Sequence, residues 1–263
     1  MEYFHDKYLI DTNLFHKLID LAIDDTVHYA QLKTVQDKGA GSFCRFINVA
    51  GETYALVSKR AQGLVSTTIK NIMPIINKYE SPAPILGAAF DIDEKHDYVI
   101  IMPKIEGDNL PSKVYSIEKN IKLAKVTEEI SLDAFKILAK DCLALNEHAI
   151  RIDFHGGNFI YDKENDRIRM VDLKRRTNFN EERFCSRFFS LFAYKLFQCF
   201  KRDGVIENLK ENEVIDIDMV TAKSIIKAYS ALLSAGLKEK LIAPALEFTF
   251  GQGTKIEDFE KSI

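Results

Sequence analysis

Hydrophobic periodicity changes character once along this chain, between Ile105 and Pro111, and no other feature limits the possible folds as much. Upstream, short β-prone runs over residues 32–37, 43–49, 53–58, 85–90 and 98–102 are separated by turn chemistry at Gly39-Ala40-Gly41-Ser42, Ala50-Gly51-Glu52 and residues 91–97. Two helices are predicted among them. One runs from the capping residues Asp11-Thr12-Asn13 to Asp24-Asp25, and the other covers residues 66–78, disturbed by Pro74. Downstream the 3.6-residue pattern dominates, over residues 116–125, 132–149, 181–201, 219–235 and 239–248. One hairpin interrupts it, with strands 159–161 and 168–171 about a turn at 162–167. A β-rich half, a linker and a helical half make an α+β fold in two lobes. The expected divisions are a helical extension over 1–33, an N-lobe over 34–106, a linker over 107–112 and a C-lobe over 113–263.

Composition narrows the class of protein. At 263 residues and 46% hydrophobic, the chain can bury a substantial core. A formal charge of −3 gives no global attraction to nucleic acid or an anionic membrane, so neither is expected as a partner. Cys44, Cys142, Cys185 and Cys199 form no close pair and no zinc spacing. They read as reduced, mostly buried thiols of a cytosolic protein. The first residues lack the basic-then-apolar pattern of a cleaved signal. The most apolar stretch, residues 188–200, is broken by Lys195 and Gln198 and is too short to span a bilayer.

Chemistry concentrates around the hairpin. Asp153-Phe154-His155-Gly156-Gly157-Asn158 leads into the first strand, and Met170-Val171-Asp172-Leu173 follows the second. An acid, an amide and a second acid thus fall at loop positions beside strands. Phosphoryl transfer from ATP needs such a set. One carboxylate, Asp153, orients the attacking hydroxyl, while Asn158 and Asp172 supply oxygens to Mg²⁺ or Mn²⁺ on the phosphates. Upstream, Gly39 and Gly41 in the turn before Ser42 would let the backbone approach phosphates closely. The strand ending Leu56-Val57-Ser58-Lys59 delivers a lysine after that turn, with Arg60 as the competing cation. Aligned with the hinge of the protein kinases that this stretch resembles, Met102, Pro103 and Ile105 would meet adenine. Pro103 keeps its carbonyl and lacks only an N–H that is not needed there.

Over roughly residues 34–200 the chain resembles the protein-kinase-like superfamily. The resemblance is carried by residues 102–110, by Asp153 through Asp162, and by Val171-Asp172-Leu173. It looks most like the minimal secreted effector kinases of enteric bacterial pathogens (the OspG and NleH group). The loop Asp153 to Ile160 also looks like that of lipopolysaccharide-core sugar kinases. The resemblance implies ATP and Mg²⁺ or Mn²⁺ as cofactors, bound between the lobes. It implies Asp153, Lys59 and His155 as catalytic residues. Gly39, Gly41, Ser42, Lys59, Met102, Pro103 and Ile105 would hold the nucleotide, and Asn158 and Asp172 the metal. The first likeness implies a Ser/Thr kinase delivered without a cleaved signal to host cytoplasm. There it would meet a protein substrate or activating host protein, ubiquitin machinery included. The second implies a small-molecule acceptor.

Departures from the kinase pattern are specific. Arg151-Ile152 replaces His-Arg before Asp153, His155 replaces a lysine, and Lys174 replaces a glycine after Asp172. No Ala-Pro-Glu follows. The helix over residues 66–78 has no acidic residue to pair Lys59; Asn71 lies near that position. These losses keep open low or partner-induced turnover, and a partner-binding pseudokinase. The basic run Lys174-Arg175-Arg176 after the metal segment is a candidate docking point for an acidic partner.

Overall fold

The computed structural model describes residues 2–23, 42–59, 66–90, 98–110, 124–154, 156–171, 173–175, 180–194 and 217–263. For residues 23, 42–45, 58–59, 66–68, 151, 173–175, 193–194 and 217–218 it describes the backbone alone. The expected strand over 32–37, and residues 116–123 of the helix expected over 116–125, lie outside the described residues. The chain divides into two compact units, Met1–Ile105 and Glu106–Ile263.

The first unit is built on a five-stranded sheet. Its strands are β1 (Glu2–His5), β2 (Ser42–Val49), β3 (Glu52–Lys59), β4 (Gly87–Phe90) and β5 (Tyr98–Pro103), in the order β1-β4-β5-β3-β2. β2 and β3 meet at a two-residue turn, with Val49 opposite Glu52. Ala50 (φ 55°) and Gly51 (φ 90°) both adopt the positive φ that such a hairpin turn demands. Sequence alternation missed β1, which at four residues is too short to show a period, and which adds an outer strand beside β4.

Two helices cover the two faces of this sheet. Helix α1 (Thr12–Ile23) sets Phe15, Leu18, Ile19 and Ala22 against Leu56, Ala89, Val99 and Ile101. Helix α2 (Ser66–Ile76) sets Ile69 against Ala88, Phe90 and Tyr98, the alternate residues of the same strands. Gly87 is needed where α1 meets the sheet, because a Cβ there would stand 2.5 Å from the Phe15 ring. Asn77 closes the loop after α2. Its amide oxygen accepts from the Ile85 N–H at 2.8 Å, and its Nδ2 donates to the Ile85 carbonyl at 2.9 Å.

The second unit is mainly helical. Residues 124–129 form a helical turn. Then come α3 (Leu132–Glu147), α4 (Glu181–Phe189), α5 (Ile217–Ser234), α6 (Glu239–Phe250) and α7 (Ile256–Glu260). Ser131 caps α3 by accepting from the Ala134 N–H at 3.1 Å, and Asn180 caps α4 by accepting from the Arg183 N–H at 2.7 Å. The expected helix over 181–201 keeps α-geometry only to Phe189 and then widens into a π-type turn, Ser190–Tyr194. Here the Ser186 and Ser190 hydroxyls donate to carbonyls four residues back, a competition with the helix ladder that bends it. Two small sheets complete the unit. β6 (Asp108–Asn109), β8 (Phe159–Asp162) and β9 (Arg167–Met170) form one; β7 (Ile150–Ile152) and β10 (Leu173–Arg175) form the other. The segment read as a linker therefore contributes a strand. β6, β7 and β10 are two or three residues long, too short for any sequence period to reveal.

Candidate functional site

The loop from Asp153 to Asn158 hangs between β7 and β8. β7 follows α3 through Ala149, whose left-handed backbone (φ 57°) turns the chain sharply out of the helix. A single turn of 3-10 helix, Gly156–Asn158, feeds the chain into β8. β8 and β9 then pair with Phe159 opposite Met170. Beyond that pair the Val171 N–H donates to the Asn158 carbonyl at 3.0 Å. On the other side β10 returns along β7, with Leu173 opposite Ile152. Asp172 itself lies outside the described residues. Its two neighbours are tied to the residues that flank the acid loop, Val171 to Asn158 and Leu173 to Ile152.

Asn158 is oriented by its own loop. Its Nδ2 donates to the Asp153 carbonyl at 3.3 Å, which turns the amide oxygen the other way. That assignment of the amide follows the hydrogen-bond geometry. An amide oxygen so directed, with a carboxylate two residues beyond β9, is the donor chemistry that suits Mg²⁺ or Mn²⁺. Among the described residues no cluster of three or more His, Cys, Asp or Glu could hold a metal. Asp153 is half-buried, and His155 lies outside the described residues.

The segment Glu106–Leu110 is bound to the same hairpin. Asp108 stands opposite Tyr161, Asn109 opposite Ile160, and the Leu110 N–H donates to the Phe159 carbonyl at 2.9 Å. Gly107 (φ 145°) makes this approach possible, because a Cβ there would overlap the Tyr161 carbonyl. Nothing in a lone glycine between two acids marks that role in the sequence.

In the first unit, the backbone of Lys59 ends β3, opposite Ser42 on β2 and Tyr98 on β5. Tyr98 belongs to the sheet face on which Ile69 of α2 packs. Met102 is buried opposite Ala55, Pro103 closes β5 opposite Tyr54, and Ile105 is the last residue of the unit. Gly39, Gly41 and Arg60 lie outside the described residues, and of Ser42 only the backbone is described. α2 contains no acidic residue. Asn71, the residue nearest the missing acid by sequence, is on the exposed side of α2, away from Ile69, Ile72, Met73 and Ile76.

No known protein family and no curated protein matches the chain by sequence. Its fold is that of a protein kinase: a β-sheet region followed by a helical region. A solved structure it resembles is the pseudokinase domain of BIR2, an immune regulator of the RLK/Pelle family. The match has a TM-score of 0.50 over 92% of this chain and 88% of that one, at 12% identity. At that identity the likeness is one of fold.

Proposed function

We propose that this chain is an ATP- and Mg²⁺-dependent phosphotransferase that acts on hydroxyl groups, most simply those of a protein. The observation that carries the reading is the lacing of Asn158 to the Asp153 carbonyl and of Val171 to the Asn158 carbonyl. It holds the acid and the amide in one loop and ties Val171, the residue before Asp172, to the end of that loop. When bound, Mg²⁺ supplies charge neutralisation on the phosphates, held by the oxygens of Asn158 and Asp172. Asp153 accepts the hydrogen bond of the acceptor hydroxyl and takes its proton as the phosphoryl group moves. Lys59 contacts the phosphates, with Gly39, Gly41 and Ser42 supplying backbone N–H groups to them. Met102, Pro103 and Ile105 would line the adenine. His155 would give a phosphate contact that strengthens when the imidazole is protonated.

A partner-binding, weakly active role is the second reading. It is favoured by the absence of an acidic residue on α2, the helix from which kinases draw the ion-pair partner of the site lysine. The BIR2 domain that it resembles in fold is itself described as a pseudokinase domain.

Two substitutions separate the roles. Asp153→Asn should lower phosphate transfer by about a hundredfold or more while leaving MgATP binding intact. Asp172→Ala should abolish metal-dependent nucleotide binding. Transfer would be followed from labelled ATP to the chain itself, to a generic protein and to a panel of sugars. Full transfer by Asp153→Asn would place the catalytic base elsewhere. Transfer to sugars alone would replace the protein acceptor with a small molecule.

A further inference from the structure

We infer that Phe154 is the positioning residue of the acid loop: its seated ring holds the backbone of Asp153. The catalytic half of this inference rests on the phosphotransfer reading, and the structural half rests on geometry alone. Phe154 is joined directly to Asp153, so seating its ring restrains the backbone from which the Asp153 carboxylate projects. The ring stacks on Phe159 at 5.7 Å and 29°, and it meets Phe184 and Phe188 edge-on at 5.7 and 6.5 Å. These three partners come from two elements, β8 and α4, and all are buried. Phe188 continues into Phe192 at 5.5 Å, and Phe192 into Phe135 of α3 at 4.3 Å. The ring is therefore the upper end of an aromatic column rooted in three elements.

The loop's polar tie is weaker by comparison. The Asn158 amide reaches the Asp153 carbonyl at 3.3 Å, beyond the usual length of an N–H···O bond. A ring with three buried aromatic partners drawn from two elements has a narrow choice of positions. Phe154 touches neither nucleotide nor acceptor in the proposed reaction. Its loss should therefore appear in the chemical step and not in nucleotide binding. Displacements of about 1 Å in a reacting group can cost about a hundredfold in rate, so the effect should be large.

The test compares Phe154→Ala and Phe154→Leu with Phe250→Leu, a control that thins a buried aromatic pair on α6 (Phe250 with Phe189, 6.0 Å). Phe154→Ala should lower kcat about a hundredfold, leave the KM for ATP within about threefold, and speed exchange of the Val171 amide. Phe154→Leu should recover most of kcat, because it restores bulk on the column. Phe250→Leu should lower the melting temperature without moving kcat or the Val171 amide. Unchanged kcat and exchange in Phe154→Ala would overturn the inference. So would equal damage from Phe250→Leu, which would mark the effect as general loosening. A wild-type chain with no turnover refutes the phosphotransfer reading and with it the kinetic role of Phe154. Exchange of the Val171 amide then decides the anchoring of the loop by itself.

Discussion

Asp166 gathers three segments of the second unit onto one carboxylate. It sits with φ 48° in the turn between β8 and β9, and its Oδ1 accepts from the Tyr161 hydroxyl at 3.0 Å and the Ser131 N–H at 3.3 Å. Burial alone pushes this carboxyl up. Its hydrogen bonds with Ser131 and Tyr161, and the charge of Arg167, outweigh that and hold it below its ordinary value of 3.8. Burial, and then the same contact, pushes Tyr161 up to about 12. The folded state thus binds the Asp166 proton less readily than the unfolded chain does. The stabilisation is complete above the ordinary carboxylate pKa and is lost as pH falls through the lower folded value. Asp166→Asn keeps the backbone preference for positive φ and removes the charge. It should cost about 1–2 kcal/mol at neutral pH, and the gap to wild type should close in acid. Urea unfolding at pH 7 and pH 3 would read this, and a gap of equal size at both would contradict it. The same site shows what a sequence hides at this scale. Asp153 and Asn158 stand out in the sequence by type and spacing, and folding keeps both in one loop between β7 and β8. Phe154 and Gly107 do not stand out, because their roles depend on rings and a carbonyl that folding brings from elsewhere.

Helix α1 is what makes the first unit's sheet a two-sided layer. Phe15 is fully buried, stacks on His5 at 4.8 Å, and fills the space that Gly87 leaves open. Phe15→Ala should therefore destabilise the first unit by about 3–5 kcal/mol, the usual cost of emptying a buried aromatic site. Exchange of the β4 and β5 amides would report it, and a loss under about 1 kcal/mol would show that the sheet stands without α1. Helices α1, α3, α5 and α6 were readable because each repeats apolar residues at helical spacing, and β2 to β5 because they are β-prone runs bounded by turn residues. The short strands were not. β1 is held by pairing with β4, and β7 and β10 by pairing with each other, so their residues carry no local pattern. The helical turn at 124–129 gains its stability in the same non-local way. The Lys227 ammonium donates to the carbonyls of Glu128 and Ile130 at 3.2 and 2.6 Å, a cation at a helix C-terminus.

Across the whole molecule, the change of periodicity near residue 105 corresponds to the division into units at Ile105 and Glu106. Among the described residues no helix is long and apolar enough to cross a membrane. The fold is kinase-like, and folds of this kind serve both transferases and binding proteins, so the site must decide between them. The central proposal is that the Asn158 and Asp172 oxygens would hold the phosphates of a nucleotide through a divalent metal. Thermal unfolding of the unmodified chain with ATP, with and without Mg²⁺, tests it most directly. At a hundred times the dissociation constant, linkage adds about 2.7 kcal/mol, which for a chain of this size raises the midpoint by roughly 5–10 °C. The account predicts a rise of that order that grows with ATP concentration, requires Mg²⁺ or Mn²⁺, and vanishes in Asp172→Ala. An unmoved midpoint at millimolar ATP with either metal present, or an equal rise in chelator, would contradict it.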